Sequence, residues 1–274
     1  MPIIAISAGP FSRAREVAEL VSRELDYPLI GRELLAAVAR DYQVPEPRLV
    51  QSLEQGPSLL GMQKKLRARC LAYIEAAVLE RLTADNLVTI GLAAHLLVRG
   101  VSHLLKVRVQ ADLEERARER ASREGLDVER ARRLIQDEDR RLAHWSRATF
   151  DLDEAAASLY DLVVGLGQID PDQAADIIAG TARYRRFRAM TYSQNHLREL
   201  ALAARVRAAL IDDHPEATVK AQGSEVTVSV LAVRRNQERK IESVRELTAG
   251  LAGLENLKVE AITDVFQEAA ETMR

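Results

Sequence analysis

The sequence predicts an α/β protein with a parallel sheet over its first 180 residues, followed by a smaller α+β segment. Two patterns carry this reading. Up to about residue 180 short apolar, β-branched runs alternate with amphipathic stretches of helical period. Beyond residue 198 the order becomes helix, two alternating strands, helix and strand. The 274 residues, 47% hydrophobic and 29% charged, are enough for one large or two small packed cores.

Ile3 to Ser7 reads as a buried strand, and Ala8-Gly9-Pro10 as the turn after it. A helix follows, with Val17, Leu20, Val21 and Leu25 on one face and Ser12 as its N-cap, closed by Tyr27-Pro28. Residues 32–42 form a second helix. Val44 to Ser58, with Pro45, Pro47 and Pro57, is expected to be a broken, mobile connection. A helix over 60–82 leads to a strand at Asn86 to Gly91, and a further strand runs from Leu104 to Val109. Asp112 opens a charged helix to Arg123, broken by Glu124-Gly125-Leu126, and Val128 to Trp145 is the next helix. Leu159 to Val164 is a strand, and Asp170-Pro171 starts a helix through Ile178.

Residues 184–197, with Tyr184-Arg185-Arg186-Phe187-Arg188 and Thr191-Tyr192-Ser193, form a polar, basic joint without a clear core face. Then come a helix over 198–210, strands at Ala217 to Ala221 and Glu225 to Val233 around a turn at 222–224, a helix over 236–249 and a strand from Leu257 to Ile262. The domains expected are thus 1–183, a linker at 184–197, 198–265, and a tail at 266–274.

Composition narrows the function. The formal net charge of -2 lacks the basic surplus of a nucleic-acid binder, so no nucleic acid is expected as a partner. The longest uncharged apolar run, Leu87 to Val98, is too short to span a bilayer, and the N-terminus does not read as a secretory signal, so a cytoplasmic address is the expectation. Cys70 alone permits no internal disulfide, and His95, His103, His144, His196 and His214 have no metal-ligand spacing, so no metal site is expected. Asp137-Glu138-Asp139, set among Arg132, Arg133, Arg140 and Arg141, reads as a salt-bridged face. Of the 39 basic residues six are lysines, which leaves 33 arginines. No Gly-Lys pair is available for a phosphate-binding loop of the G-x-x-x-x-G-K-[ST] type.

The segments Ile6-Ser7-Ala8-Gly9-Pro10-Phe11-Ser12-Arg13-Ala14-Arg15-Glu16-Val17-Ala18 and Asp26-Tyr27-Pro28-Leu29-Ile30-Gly31-Arg32-Glu33-Leu34-Leu35 resemble the cytidylate kinase-like family, which opens I-S-R-x-x-G-S-G-G-R-E-I-A and continues G-Y-P-F-Y-D-[KR]-E-L-L. Val109-Gln110-Ala111-Asp112 with the helix to Arg123, Asp139-Arg140-Arg141-Leu142-Ala143, and Tyr160-Asp161-Leu162-Val163-Val164 resemble the family's later strand, lid and last strand. The resemblance covers about two-thirds of the chain and implies a P-loop kinase-like parallel sheet flanked by helices. It also implies ATP and Mg as cofactors if the site is active, and a phosphate loop at Gly9, Ser12, Arg13 and Arg15.

The departures fall on the residues that handle charge. Three family glycines become Phe11, Arg13 and Ala14, and Pro10 has no N–H to donate. The acidic residue falls on Gly31, the Gly-Arg-Gly on Gly91-Leu92-Ala93, the lid arginine on Leu142 and the last asparagine on Gly165. Phosphoryl transfer is positioning plus charge stabilisation, so the expectation is a degenerate kinase domain, with an active (deoxy)cytidylate kinase as the alternative. Arg13 and Arg15 at the helix start, and Arg116, Arg120, Arg140 and Arg141, are the candidate anion binders.

Residues 204–210, 219–221, 226–230 and 254–259 resemble a BON domain, an αββαβ module. That resemblance implies a regulatory, ligand-sensing or scaffolding role, with a phospholipid or a protein as partner; a nucleotide or small ligand and a second copy of the chain are further candidate partners.

Overall fold

The computed structural model describes residues 2–56 and 63–263. The strands are β1 (Ile3–Ala8), β2 (Leu29–Ile30), β3 (Val88–Ile90), β4 (Leu104–Ala111) and β5 (Leu162–Leu166), all parallel in the order β2-β3-β1-β4-β5. Ile3, Ile4, Ala5 and Ile6 are all at most 1% exposed, which is why β1 has no alternation: a central parallel strand is covered on both faces. Flanking helices are α1 (Ala14–Leu25), α2 (Leu34–Asp41), α3 (Glu46–Glu54), α5 (Ala94–Leu97), α6 (Leu113–Glu124), α7 (Val128–Phe150) and α8 (Pro171–Ala182). Val17, Ala18 and Val21 of α1 and Ala174, Ala175 and Ile178 of α8 join the core of the sheet.

The described residues divide into two compact units. One takes those of Met1–Met62 and Ala84–Ser193; the other takes those of Gln63–Thr83 and Gln194–Arg274. The second unit contains α4 (Lys64–Leu82), most of α9 (Thr191–Leu210), β6 (Thr218–Gln222), β7 (Glu225–Ala232), α10 (Gln237–Thr248) and β8 (Asn256–Thr263). β6 and β7 form an antiparallel hairpin with Gly223 at φ 60 in its two-residue turn. β7 and β8 pair in parallel, and α10 is the crossover between them. Val206 and Leu210 of α9 pack with Val226, Val228, Val230 and Val244, all buried. α4 is tied to α9 and the turn after it by Tyr73 Oη donating to Asp212 at 3.1 Å and by the Arg205–Glu80 ion pair.

Several local expectations are corrected. Ser12 does not cap α1; Arg13 holds the N-cap position at φ 55 with no side-chain hydrogen bond. The segment after Val44 is not broken, because Pro45 is an N-cap and Pro47 lies in the first turn of α3, where a missing N–H costs nothing. Leu49 and Ser52 anchor α3 by burial; residues 57 and 58 of that segment lie outside the described residues, as does the start of the helix expected from 60. The 184–197 joint holds a 3-10 turn at Arg185–Phe187 and the first turns of α9, with Phe187 buried as its core residue. β2 and α5 are too short to show a period, and β5 starts three residues later than its apolar run because a 3-10 turn precedes it. Caps at Asp112, Asp127 and Asp170 form as their residue types predict.

Candidate functional site

In a doubly wound sheet, ligands sit beyond the carboxyl ends of the strands, where neighbouring connections leave in opposite directions. Here that crevice lies beyond β1, with β3 on one side and β4 on the other. Two cavities open there. The smaller, about 270 Å³, is lined by Gly9, Ser12, Arg108, Arg116, Asp139 and Glu154, among others. The larger, about 550 Å³, lies over Ala8, Gly91, Leu92 and His95, with Arg15, Arg32 and Arg141 also lining it. Gly9, Leu142 and Glu154 border both.

The loop backbone keeps a glycine geometry without the glycines. Phe11 and Arg13 stand at φ 55, and Gly91, Leu92 and Ala93 are three consecutive left-handed residues at φ 71, 55 and 56. Such a conformation costs an L-residue about 1–2 kcal/mol, so it persists only where the surroundings impose it. Phe11, expected where backbone meets phosphate, lines neither cavity; Arg120 and Arg123 lie over its ring at 4.8 and 5.6 Å from the centroid. A Cβ at Gly9 would stand 3.1 Å from the Arg116 guanidinium, which would have to give by a few tenths of an ångström. The Ser12 hydroxyl, on a residue 4% exposed that borders the smaller cavity, has no hydrogen-bond partner among the described residues.

The candidate arginines are brought near the loop and then matched by carboxylates. Arg116 donates to both oxygens of Asp139 at 2.8 and 2.9 Å, and its Nε donates to the Pro10 carbonyl at 2.8 Å. Arg120 pairs with Glu124 and Glu138. Arg140 pairs with Asp137, and Arg141 stands 3.8 Å from Glu138. Arg13 pairs with Glu16, and Arg15 with Glu19. Of the six arginines, Arg116 lines the smaller cavity beside Gly9, Arg15 and Arg141 reach the rim of the larger, and Arg13, Arg120 and Arg140 line neither. Each of Asp137, Glu138 and Asp139 is therefore committed to an arginine.

A buried polar cluster beneath the cavities joins Ser7 and Tyr160, from the family-like segments, to His95, Arg108 and Glu154, which lie outside them. Ser7 Oγ donates to Glu154 Oε1 at 2.7 Å; Arg108 Nη1 donates to Ser7 Oγ at 2.7 Å and to Glu154 at 3.1 Å. Tyr160 Oη donates to the Glu154 carbonyl at 2.8 Å, and its ring stacks on His95 with centroids 5.3 Å apart. Burial pushes the Glu154 carboxyl and the Tyr160 hydroxyl up, and pushes His95 down to about 3, so the imidazole is neutral. Arg108 Nε and His95 Nε2 are buried without a hydrogen-bond partner. The one sequence sign was charge inside an apolar run, Arg108 in β4. Nothing local marks Glu154 as its counterion, because the two meet only through the fold.

A second carboxylate also escaped the sequence reading. Glu33 accepts from the Gly31 N–H at 2.6 Å and fills the space a side chain at 31 would take.

Comparison with known proteins agrees with this architecture. A cytidylate kinase of Methanopyrus kandleri is 31% identical over 113 residues, 41% of this chain and 51% of that protein, so this chain spans about half of that relative's length. An uncharacterised protein of Eubacterium ventriosum superposes with a TM-score of 0.52 at 20% identity, covering 68% of this chain and all of that one, which shows the shared fold. A shikimate kinase of Bacteroides thetaiotaomicron aligns at a TM-score of 0.41 and 11% identity, over 67% and 99% of the two chains. The profile of the cytidylate kinase-like family matches residues 3–168, more than half of the sequence, and the chain belongs to that family.

Proposed function

We propose that this protein is a catalytically degenerate member of the family, in which residues 1–183 hold an anion or nucleotide weakly and residues 198–265, a BON-like module, carry a regulatory, ligand-sensing or scaffolding role. The observation that carries it is the charge matching at the loop: Arg116, the arginine against Gly9, is already held through both Nη atoms by Asp139. A phosphoryl-transfer site works through cations aimed at developing phosphate charge, and here the protein's own carboxylates occupy them. The residues present do not fit Mg-ATP in the family's manner, since neither a loop lysine nor the acidic residue at 31 is available. The αββαβ order of α9, β6, β7, α10 and β8 supports the BON-like reading.

Isothermal titration with Mg-ATP and then CMP, with product followed in the same samples, tests this. The expected result is no CDP at millimolar nucleotide. Micromolar binding with turnover would establish the second reading, an active (deoxy)cytidylate kinase. That reading is favoured by the retained loop backbone and by Arg108 and Ser12 at the smaller cavity. The charge-matching argument has its own test: Asp139→Asn is expected to raise affinity for inorganic phosphate about fivefold, the equivalent of roughly 1 kcal/mol for a pair whose carboxylate is 40% exposed. Unchanged affinity would show that Asp139 does not compete for Arg116.

A further inference from the structure

We propose that the turn at residues 184–192 is a docking surface for an anionic phospholipid bilayer, independent of the phosphate loop and of the BON-like module. No aspartate or glutamate occurs between Asp176 and Glu199, whereas that stretch carries five arginines. The chain as a whole has a net charge of -2, so the asymmetry is local. Arg185, Arg186 and Arg188 are exposed and have no carboxylate partner among the described residues, unlike the arginines around the loop. Beside them three large side chains face water: Tyr184 at 62% exposed, Met190 at 67% and Tyr192 at 81%.

Two buried anchors hold the segment. Phe187 is 4% exposed in the core of the sheet, and Ser193 Oγ accepts the Ser102 N–H at 2.9 Å and contacts His103 Nδ1 at 2.6 Å. The turn therefore displays its cations and apolar groups on a fixed backbone and pays little ordering entropy on docking.

Cations beside exposed apolar side chains call for a partner that is both negative and apolar. A bilayer surface with anionic headgroups is both: tyrosine rings lie at headgroup depth, methionine enters the acyl boundary and arginines stay at the phosphates. A single nucleic-acid strand is the other polyanion, but it is bound in a charged groove with stacking aromatics, and no residue of 184–192 lines either cavity described above. No helix among the described residues is long and apolar enough to cross a membrane, so the contact would be peripheral.

The test is co-sedimentation of the full chain with vesicles of phosphatidylcholine alone or with about one-third phosphatidylserine, an anionic fraction at which each basic residue near the surface adds about 1 kcal/mol. Binding is expected only to the anionic vesicles, and to be lost in high salt. The combined change Arg185→Glu, Arg186→Glu and Arg188→Glu is expected to weaken it about a hundredfold or more, on the same scale. Tyr184→Ser with Met190→Ser and Tyr192→Ser should weaken it while leaving the salt dependence in place. Thermal melting of each variant verifies folding, and the salt series on the unaltered protein needs no variant. Equal binding to neutral vesicles, full binding by the charge-reversed variant, or binding of oligouridylate without vesicle binding would overturn the proposal.

Discussion

The two ends of the parallel sheet treat buried polar groups in opposite ways. At the amino end, His103, fully buried, joins Asp85 at 2.9 Å to Ser193 at 2.6 Å, and Ser193 also accepts the Ser102 N–H. Both ring nitrogens are used. At the carboxyl end, Ser7, Arg108, Glu154 and Tyr160 form a network that leaves Arg108 Nε and His95 Nε2 unsatisfied and borders two cavities. A closed network stabilises and specifies a fold, whereas an incomplete one beside open space costs stability and marks a place where the protein meets something else. The residue types overlap, serine, histidine and carboxylate in both, so the distinction lies in completeness.

The largest effect is expected from Glu154→Ala. It strands the buried Arg108 cation and should lower stability by about 3–5 kcal/mol in denaturant titration. A loss below about 1 kcal/mol would mean that Arg108 is solvated through the cavity, and that the carboxyl-end cluster is less buried than its geometry indicates. His103→Ala should cost roughly 2 kcal/mol by removing two buried hydrogen bonds, while affinity for inorganic phosphate stays the same. A shift in that affinity would couple the two ends and break the comparison.

His95 supplies a pH test. Its folded-state pKa is pushed down to about 3 from an ordinary 6.5, first by burial and then by Arg108 and Lys106. The unfolded chain therefore binds more protons between those values. The stabilisation is complete above pH 6.5 and is lost as pH falls toward 3, by at most about 1.4 kcal/mol per pH unit. Glu154 acts in the opposite sense: burial raises its carboxyl above the ordinary 4.5, so its contribution is present below 4.5 and fades as pH rises. His95→Phe should flatten the acid-side loss in melting curves from pH 6.5 downward, and an unchanged slope would show the imidazole already solvated. The smallest effect is expected from Ala93→Gly, a gain of about 1 kcal/mol from relieving a left-handed alanine, with the melting temperature as readout.

Much of the frame was legible because it rests on local signals. The uninterrupted Ile3–Ile6 run, the Asp112 and Asp170 helix starts and the hairpin at Gly223 each act within a few residues. The phosphate-loop segment was legible as motif positions, but not as conformation, since Phe11 and Arg13 adopt a backbone that their residue types disfavour. Glu154 was not legible at all, because its partners Ser7 and Arg108 lie 147 and 46 residues away and come together only through strand pairing. Proline misled the reading of 44–58: position within the first turn, rather than number, decides whether it breaks a helix.

The second unit's composition bears on how the chain is made. α4 belongs with a sheet whose strands are encoded far downstream of it, and the whole of the first unit from Ala84 to Ser193 is synthesised in between. During elongation α4 must wait without its partners while the five-stranded sheet closes around the gap in its own sequence. β8, which pairs with β7 over eight residues, is made after all the other described strands. Assembly of this unit therefore waits until residues on both sides of the first unit have been made, and a fragment that starts after Ser193 would lack the α4 helix that groups with its sheet.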